Sequence, residues 1–408
     1  MNRTLSRRAV LVAGGTLAVT AGSASGQKKY DVGVTDTEIK LGTTAPYSGP
    51  ASTFGVYGQA MSAYFKMMNE RGGINGRKID LISLDDGYSP PKTVEQTRRL
   101  VERDEVFFIA GALGTAPNAA IQKYLNARKV PHVFLTAGGE RFNDHKNYPY
   151  SIPLHPTFVN IGRVFAHYIL GTRPDARIAV LYLNDDLGKD HLAGLRQGLG
   201  ARAQSMIVQE VSHEITDPLV DSQVISLRAS GADTLLQFTT PKFGAQIIRK
   251  VHDLDWKPLH IMAHTAASVG ATLTPAGLDK SVGIISVQWF KDVSDPAWAQ
   301  SPDMVEYLKF ISTYMPGTPA QDPTPVFGYF NAAMMSRMLE RCGDDLTRDN
   351  VLRQATSHTN VAGPMLLPGI TINNSPTDYS AFQQLRLIRF DGTSFRPLGD
   401  LIDLRKSA

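Results

Sequence analysis

The sequence predicts an α/β protein made of two lobes, each a doubly wound parallel sheet flanked by helices. Three observations lead there. Strand-like and helix-like stretches alternate along most of the chain, the order that crossover helices impose on a parallel sheet. Several strand stretches are continuous apolar runs, such as residues 106–110 (VFFIA), as expected when both faces of a sheet are covered. The chain has 408 residues, more than one hydrophobic core serves comfortably, and the alternation falls into two series.

The first unit spans residues 39–86. Ile39 and Leu41 alternate with polar neighbours, the period of a strand. A Gly-, Pro-, Ser- and Thr-rich loop follows over 43–54. Tyr57, Ala60, Met61, Tyr64, Phe65 and Met68 then form one apolar stripe at helical spacing. Gly72 and Gly73 stop that helix, because glycine accepts a left-handed terminal conformation cheaply. Residues 79–84 are a second strand, so the unit is βαβ with a right-handed crossover.

The series continues with a helix from Pro91 to Arg103, a strand at 106–110, a helix at 116–127 and a strand at 132–135. A polar loop covers 136–147, and 150–154 is extended between prolines. The second series has helices at 158–170, 189–199, 243–253 and from Asp217-Pro218 to Ala229, with strands at 178–183, 206–211, 234–238 and 259–263. The remainder is less regular: a strand at 283–289, helices at 303–314, 327–342 and 347–356, and a strand at 384–390. Asp391-Gly392 then reads as a hairpin turn with its return strand at 394–397.

The formal charge of +4 overstates the basic character of the folded part. Arg3, Arg7 and Arg8 lie in a leader without acids, and subtracting them leaves about +1, which makes no electrostatic case for nucleic acid or an anionic membrane. Residues 1–26 read as an export signal with a basic start, an apolar stretch over 9–19 and small residues Ala24-Ser25-Gly26 at a cleavage point. Ser6-Arg7-Arg8 fits a twin-arginine leader; an ordinary secretory leader containing two arginines is the alternative. No later apolar run approaches the roughly 20 residues of a membrane span. Cys342 is the only cysteine, so no internal disulfide is expected, and a buried free thiol is.

No nucleotide-binding loop, GxSxG or HExxH pattern is present, no His spacing suggests a metal, and nothing pairs a nucleophile with a base. Asp185, Asp186 and Asp190 read as a cation site or, more simply, as caps of the following helix. What remains is a set of polar and aromatic residues at the C-terminal ends of the expected parallel strands, where open α/β sheets bind ligands. In the first lobe these are Tyr47 and Ser48, Leu113 and Thr115, and Ala137, Gly138 and Gly139. In the second they are Asp186, Phe238, Thr240 and His264, with Trp289 and Tyr329 as walls. The free N–H groups of a helix starting near 116 suit a carboxylate. Simpler roles stand beside these: loop packing for Tyr47, an N-cap for Thr115, a structural histidine for His264 and core for Trp289.

IKLGTTAPYSGP, the Tyr57-Gly58 entry to the helix, NERGGINGRKIDL and DDGYSPPKTVEQTRRLVE resemble the solute-binding proteins of branched-chain amino acid (Leu/Ile/Val-type) ABC importers, from about Asp31 to the C-terminus. The resemblance implies the type I periplasmic-binding-protein fold with a three-strand hinge near 153–157, 281–286 and 358–365. It divides the chain into lobe 1 (31–154 plus 284–360) and lobe 2 (155–283 plus 361–408). It implies an exported periplasmic monomer with no catalytic residues, no cofactor and no metal, which hands a small molecule to ABC permease subunits and binds neither nucleic acid nor membrane directly. In that family the loop matching 111–115 is Ser-rich and binds a carboxylate; here it is GALGT, and Thr115 alone keeps a hydroxyl. The loop matching 263–267 supplies an acid for an α-ammonium; here it is AHTAA. VPHVFLTAGGERFND and IAVLYLNDDLGKDHLAGLRQGL look most like the subgroup that binds aromatic carboxylates. The expected ligand is therefore a carboxylate without an amine, aromatic in character, with a branched-chain amino acid as the alternative. The rival function is an exported ligand sensor signalling to a regulator or kinase.

Overall fold

The computed structural model describes residues 28–319 and 322–405. The leader on which the export expectation rests lies outside them. β1 (Glu38–Ala45) runs parallel to β2 (Lys78–Asp85) along its whole length, and α1 (Gly55–Glu70) joins them. The apolar stripe of α1 buries Tyr57, Ala60, Met61 and Phe65, and the helix is followed by Gly72 and Gly73 at φ 105° and 77°. α2 (Pro90–Glu102), β3 (Phe108–Ala110), α3 (Thr115–Ala127), β4 (His132–Leu135) and β5 (Ser151–Pro153) complete a five-stranded sheet of order β2-β1-β3-β4-β5, every pair parallel.

The second lobe repeats the design. α4 (Phe158–Thr172), β6 (Ile178–Leu183), α5 (Asp186–Leu199), β7 (Ile207–His213), α6 (Asp221–Ala229), β8 (Thr234–Phe238), α7 (Pro241–Asp253), β9 (Leu259–Met262) and β10 (Ile285–Gln288) give the parallel order β7-β6-β8-β9-β10. α4 and α5 approach so closely that a side chain at Gly194 would collide with the Val159 carbonyl. The helix expected from Asp217 begins four residues later. Asp217 instead closes a turn, its carboxylate accepting the Glu214 N–H at 2.9 Å.

The last third returns to the first lobe and then leaves it. α8 (Pro302–Tyr314), α9 (Thr324–Cys342) and α10 (Arg348–Ala355) follow β10, with α9 packed along α1. A two-stranded ribbon, β11 (His358–Val361) with β12 (Ile372–Asn374), is tied to α10 where Asn374 Nδ2 donates to the Ala355 carbonyl at 2.9 Å. β13 (Gln384–Phe390) then joins the second sheet antiparallel to β10 and turns at Asp391-Gly392 into β14 (Phe395–Pro397). The Asp391 carboxylate holds that turn by accepting the N–H groups of Thr393 and Ser394 at 2.8 and 2.9 Å.

Two expected boundaries move. The strand near 284 hydrogen-bonds β9 and β13, so it is a strand of the second sheet and the chain leaves it only at Trp289. The final segment enters the second sheet at Gln384 and not near 361, because the ribbon bonds α10 first. Residues 365–367 run beside 289–291, with Leu367 N donating to Trp289 O at 2.9 Å and Lys291 N to Met365 O at 2.8 Å.

Candidate ligand site

The strand ends of the two sheets face each other across a cavity of about 160 Å³. From the first lobe it is walled by Tyr57, Tyr88, Leu113, Gly114, Thr115, Thr136 and Ala137; from the second and the connections, by His155, Phe158, His264, Trp289, Phe290 and Phe327. Its lining is mostly apolar, and aromatic rings make much of it.

On the first-lobe side the site is built around the start of α3. Gly114 is its N-cap with φ 111° and ψ 138°, a conformation that side-chain-bearing residues resist, so Thr115 is the first helical residue and not the cap. The Leu113 and Gly114 amides are already spent on the carbonyls of Thr44 (3.3 Å) and Thr136 (3.2 Å). The donors left at this terminus are therefore fewer than the loop sequence suggests: the Ala116 amide and the Thr115 hydroxyl, since Pro117 has no N–H and the Asn118 amide bonds the Gly114 carbonyl at 3.1 Å. The Tyr88 phenol comes to both the Thr115 amide and its side chain, and burial holds that phenol well above its usual pKa, so it is neutral. Tyr57 anchors the floor. Its hydroxyl donates to the Gly111 carbonyl at 2.6 Å and lies 2.8 Å from Thr136 Oγ1 and 3.0 Å from Asn331 Nδ2.

On the second-lobe side, His155 follows the first crossing and His264 follows β9, and their Nε2 atoms are 3.1 Å apart. Both rings pack edge-on to Trp289, at 5.1 and 4.9 Å between centroids. Burial lowers the His155 pKa to about 4 and that of His264 well below the ordinary value, so both are neutral near pH 7. Of the cavity's charged lining residues, Lys291 Nζ is held by Asp303 at 2.6 and 2.7 Å, while Asp292 accepts Ser294 N and Oγ on Oδ1 alone. Asp292 is thus the one carboxylate among the described lining residues, and no cationic side chain pairs with it there.

Of the residues proposed from sequence, Leu113, Thr115, Ala137, His264 and Trp289 line this cavity. The others lie elsewhere. Tyr47 turns its hydroxyl to Ser83 (2.5 Å), and the Ser48 hydroxyl donates to Asp85 (2.6 Å), because Asp85 gathers the loop after β1. Gly138 and Gly139 are small for the chain's own sake. A side chain at Gly138 would strike the Pro156 carbonyl and the Phe158 ring, and one at Gly139 would crowd Thr115 and Phe142. Phe238 is fully buried, stacked between His191 and Phe165. Thr240 is buried at the start of α7. Tyr329 packs behind the wall against Tyr64, Tyr307 and Phe310. Asp186 reaches across the cleft mouth to Arg141 at 3.2 Å. Asp185 caps α5 by accepting the Leu187 and Gly188 amides, and Asp190 accepts the Glu140 amide, so the aspartate group acts as caps and ties; no cluster able to hold a metal occurs among the described residues.

Sequence reasoning missed Tyr57, Tyr88, His155 and Phe158. Tyr57 sits on the buried stripe of α1 and reads as core; its hydroxyl, which needs a partner when buried, was the available signal. Tyr88 and His155 lie in turn and crossing segments whose course only the fold sets.

A periplasmic binding protein family model matches residues 38–394. A curated relative, "Leu/Ile/Val-binding protein homolog 3" of Brucella melitensis, is 25% identical over 232 residues, which cover 54% of this chain and 60% of that protein. The match thus spans about three fifths of the relative's length. Among solved structures, a branched-chain amino acid ABC transporter protein from Thermus thermophilus with bound valine superposes with a TM-score of 0.80 at 18% identity, covering 92% of this chain and 99% of that one. A solute-binding protein of an ABC transporter from R. palustris in complex with benzoate superposes at 0.74 with 17% identity, covering 90% and 98%. The relatives named are binding proteins and not enzymes.

Proposed function

Because the chain belongs to the periplasmic binding protein family, we propose that it captures a small aromatic carboxylate between its lobes and delivers it to an ABC permease in the membrane. The observation that supports this reading most is the cavity itself: an aromatic-walled space with a helix start on one side and two neutral imidazoles on the other. A volume of about 160 Å³ suits one ring, since an apolar cavity of about 150 Å³ admits benzene. The Thr115 hydroxyl and the Tyr88 phenol receive the carboxylate at the start of α3, and the helix dipole favours its charge. Trp289, Phe158 and Phe327 hold the ring. An α-amino acid with its ammonium beside His155 and His264, away from Asp292, would set that charge against neutral imidazoles and aromatic faces, and an unpaired buried charge costs several kcal/mol.

The benzoate complex of the R. palustris protein agrees with this chemistry, and the valine complex of the Thermus protein marks the alternative. In this reading the ligand shifts the lobes toward the closed form by its greater affinity for that form. Residues 1–26 serve as the leader that exports the chain to the periplasm, where it works as a monomer. Isothermal titration of the purified protein with benzoate, cinnamate, leucine and valine tests the proposal. Binding of an aromatic acid at micromolar concentration, equivalent to about −8 kcal/mol, with leucine and valine at least a hundredfold weaker, is the expected result. Micromolar leucine with no response to either aromatic acid rejects it.

A further inference from the structure

We infer that the ligand carries a hydroxyl group at the end away from its carboxylate, and that His264 Nδ1 accepts a hydrogen bond from it. The inference rests on the reading above and extends it from aromatic acids to hydroxylated ones.

Proton positions along a chain of three groups set this preference. The Pro156 carbonyl oxygen can only accept, and it lies 2.7 Å from His155 Nδ1, so that nitrogen bears the hydrogen. His155 is neutral, which leaves its Nε2 as a bare lone pair. That lone pair lies 3.1 Å from His264 Nε2, which must therefore be the N–H donor. His264 is neutral too, and a neutral imidazole has one hydrogen, so its Nδ1 is an acceptor. This atom is buried and has no partner; among the described side chains lining the cavity it is the one buried polar atom left so. A buried acceptor without a donor is costly, and native structures rarely keep one without a use.

No donor of the described residues lies within hydrogen-bond distance of His264 Nδ1. The ionisable side chains whose charge reaches His264 are His155 and His191. His191 Nδ1 is 2.7 Å from the Leu187 carbonyl and by the same logic holds its hydrogen there, leaving Nε2 a second unpartnered acceptor. Two neighbouring rings, 6.1 Å apart between centroids, thus both offer lone pairs. A ligand with an ether or carbonyl at this end would set oxygen lone pairs against nitrogen lone pairs. A hydroxyl donates, and the backbone carbonyl of Pro156, passed through two rings, fixes that preference.

The test is calorimetric titration of matched ligands: benzoate, 4-hydroxybenzoate and 4-methoxybenzoate, and the corresponding cinnamates. The hydroxy acid should bind about tenfold or more tightly than both the parent acid and the methyl ether. His264→Phe should bring the three within about threefold of one another. His155→Phe supplies the readout that a packing role would not move. With Nε2 of His155 gone, His264 is free to place its hydrogen on Nδ1, and the methyl ether should gain on the hydroxy acid. Melting curves of each variant confirm that it is folded. Equal affinity for parent and hydroxy acids in the unaltered protein overturns the inference and leaves the proposed function standing. Failure of every aromatic acid to bind overturns both.

Discussion

Arg141 Nη1 lies 3.2 Å from Asp186 Oδ2, a bond that joins the turn after β4 in one lobe to the first turn of α5 in the other. Beside it the Glu140 amide donates to Asp190 Oδ2 at 2.8 Å. The two lobes are therefore tied by polar contacts outside the cavity lining, independently of the aromatic packing within.

Removing this fastening should loosen the closed state without disturbing either core. The Arg141 and Asp186 side chains are 43% and 40% exposed, and exposed pairs contribute about 0.2–1 kcal/mol. Arg141→Ala should weaken 4-hydroxybenzoate binding by roughly two- to fivefold at low salt, and the difference should shrink near 1 M salt. An unchanged dissociation constant in titrations at both salts would show that the pair does no work in closure.

The α5 cap gives stability a pH dependence. Burial raises the Asp185 pKa from 3.8 to about 7 despite the two amides that favour its charge. The folded state thus holds a proton that the unfolded chain releases near pH 4. The stabilisation is fully present below about 4 and is lost as pH rises through about 7, by up to about 1.4 kcal/mol per pH unit. Asp190, raised to about 6, acts in the same direction. Asp185→Asn keeps a capping oxygen and should flatten the decline between pH 4 and 7. Urea titrations across that range would contradict this if the variant and the original protein fall in parallel.

Thr115→Val probes the carboxylate end. The substitution keeps the shape and removes the one hydroxyl of the GALGT loop. Affinity for benzoate should fall about tenfold, the cost of a charge-assisted hydrogen bond, with the melting temperature changed little. Equal loss for benzoate and for its neutral analogue benzamide would place the carboxylate elsewhere.

The α4–α5 contact should be intolerant of a single methyl group. Gly194→Ala drives a carbon into the Val159 carbonyl of the facing helix, and Gly162→Ala drives one into the His191 carbonyl. Backbone cannot yield as a side-chain tip can, so each change should cost about 1–3 kcal/mol in denaturant unfolding. Gly171→Ala, in the same helix α4 and facing open space, is the control and should be neutral or mildly stabilising.

Much of the fold was readable because its periods are local. The stripe from Tyr57 to Met68 and the run at 106–110 announce a helix and a covered strand whatever lies around them. The Asp391-Gly392 turn likewise states its hairpin in two residues. The site was less readable. Thr115 and Ala137 line the cavity, where the rule of position along the chain that sheets bind at the ends of parallel strands puts them. Tyr47 obeys the same rule and still misses the cavity, since Asp85, on the neighbouring strand, draws its amide and that of Ser48 into the loop. Tyr329 points away from the cavity into the packing of Tyr64, Tyr307 and Phe310, although Phe327 on the same helix lines it.

By itself the sequence determined the alternation of strands and helices, the two series and the absence of an acid in AHTAA, because those depend on residue type and spacing alone. The tertiary structure decided which strand 285–288 joins, which amides at the start of α3 remain free, and that His155 meets His264 across 109 residues of chain. Hydrogen-bond satisfaction is the physical reason. Each buried donor and acceptor must find a partner in space, and which one it finds is set by how the lobes pack, not by neighbours in sequence.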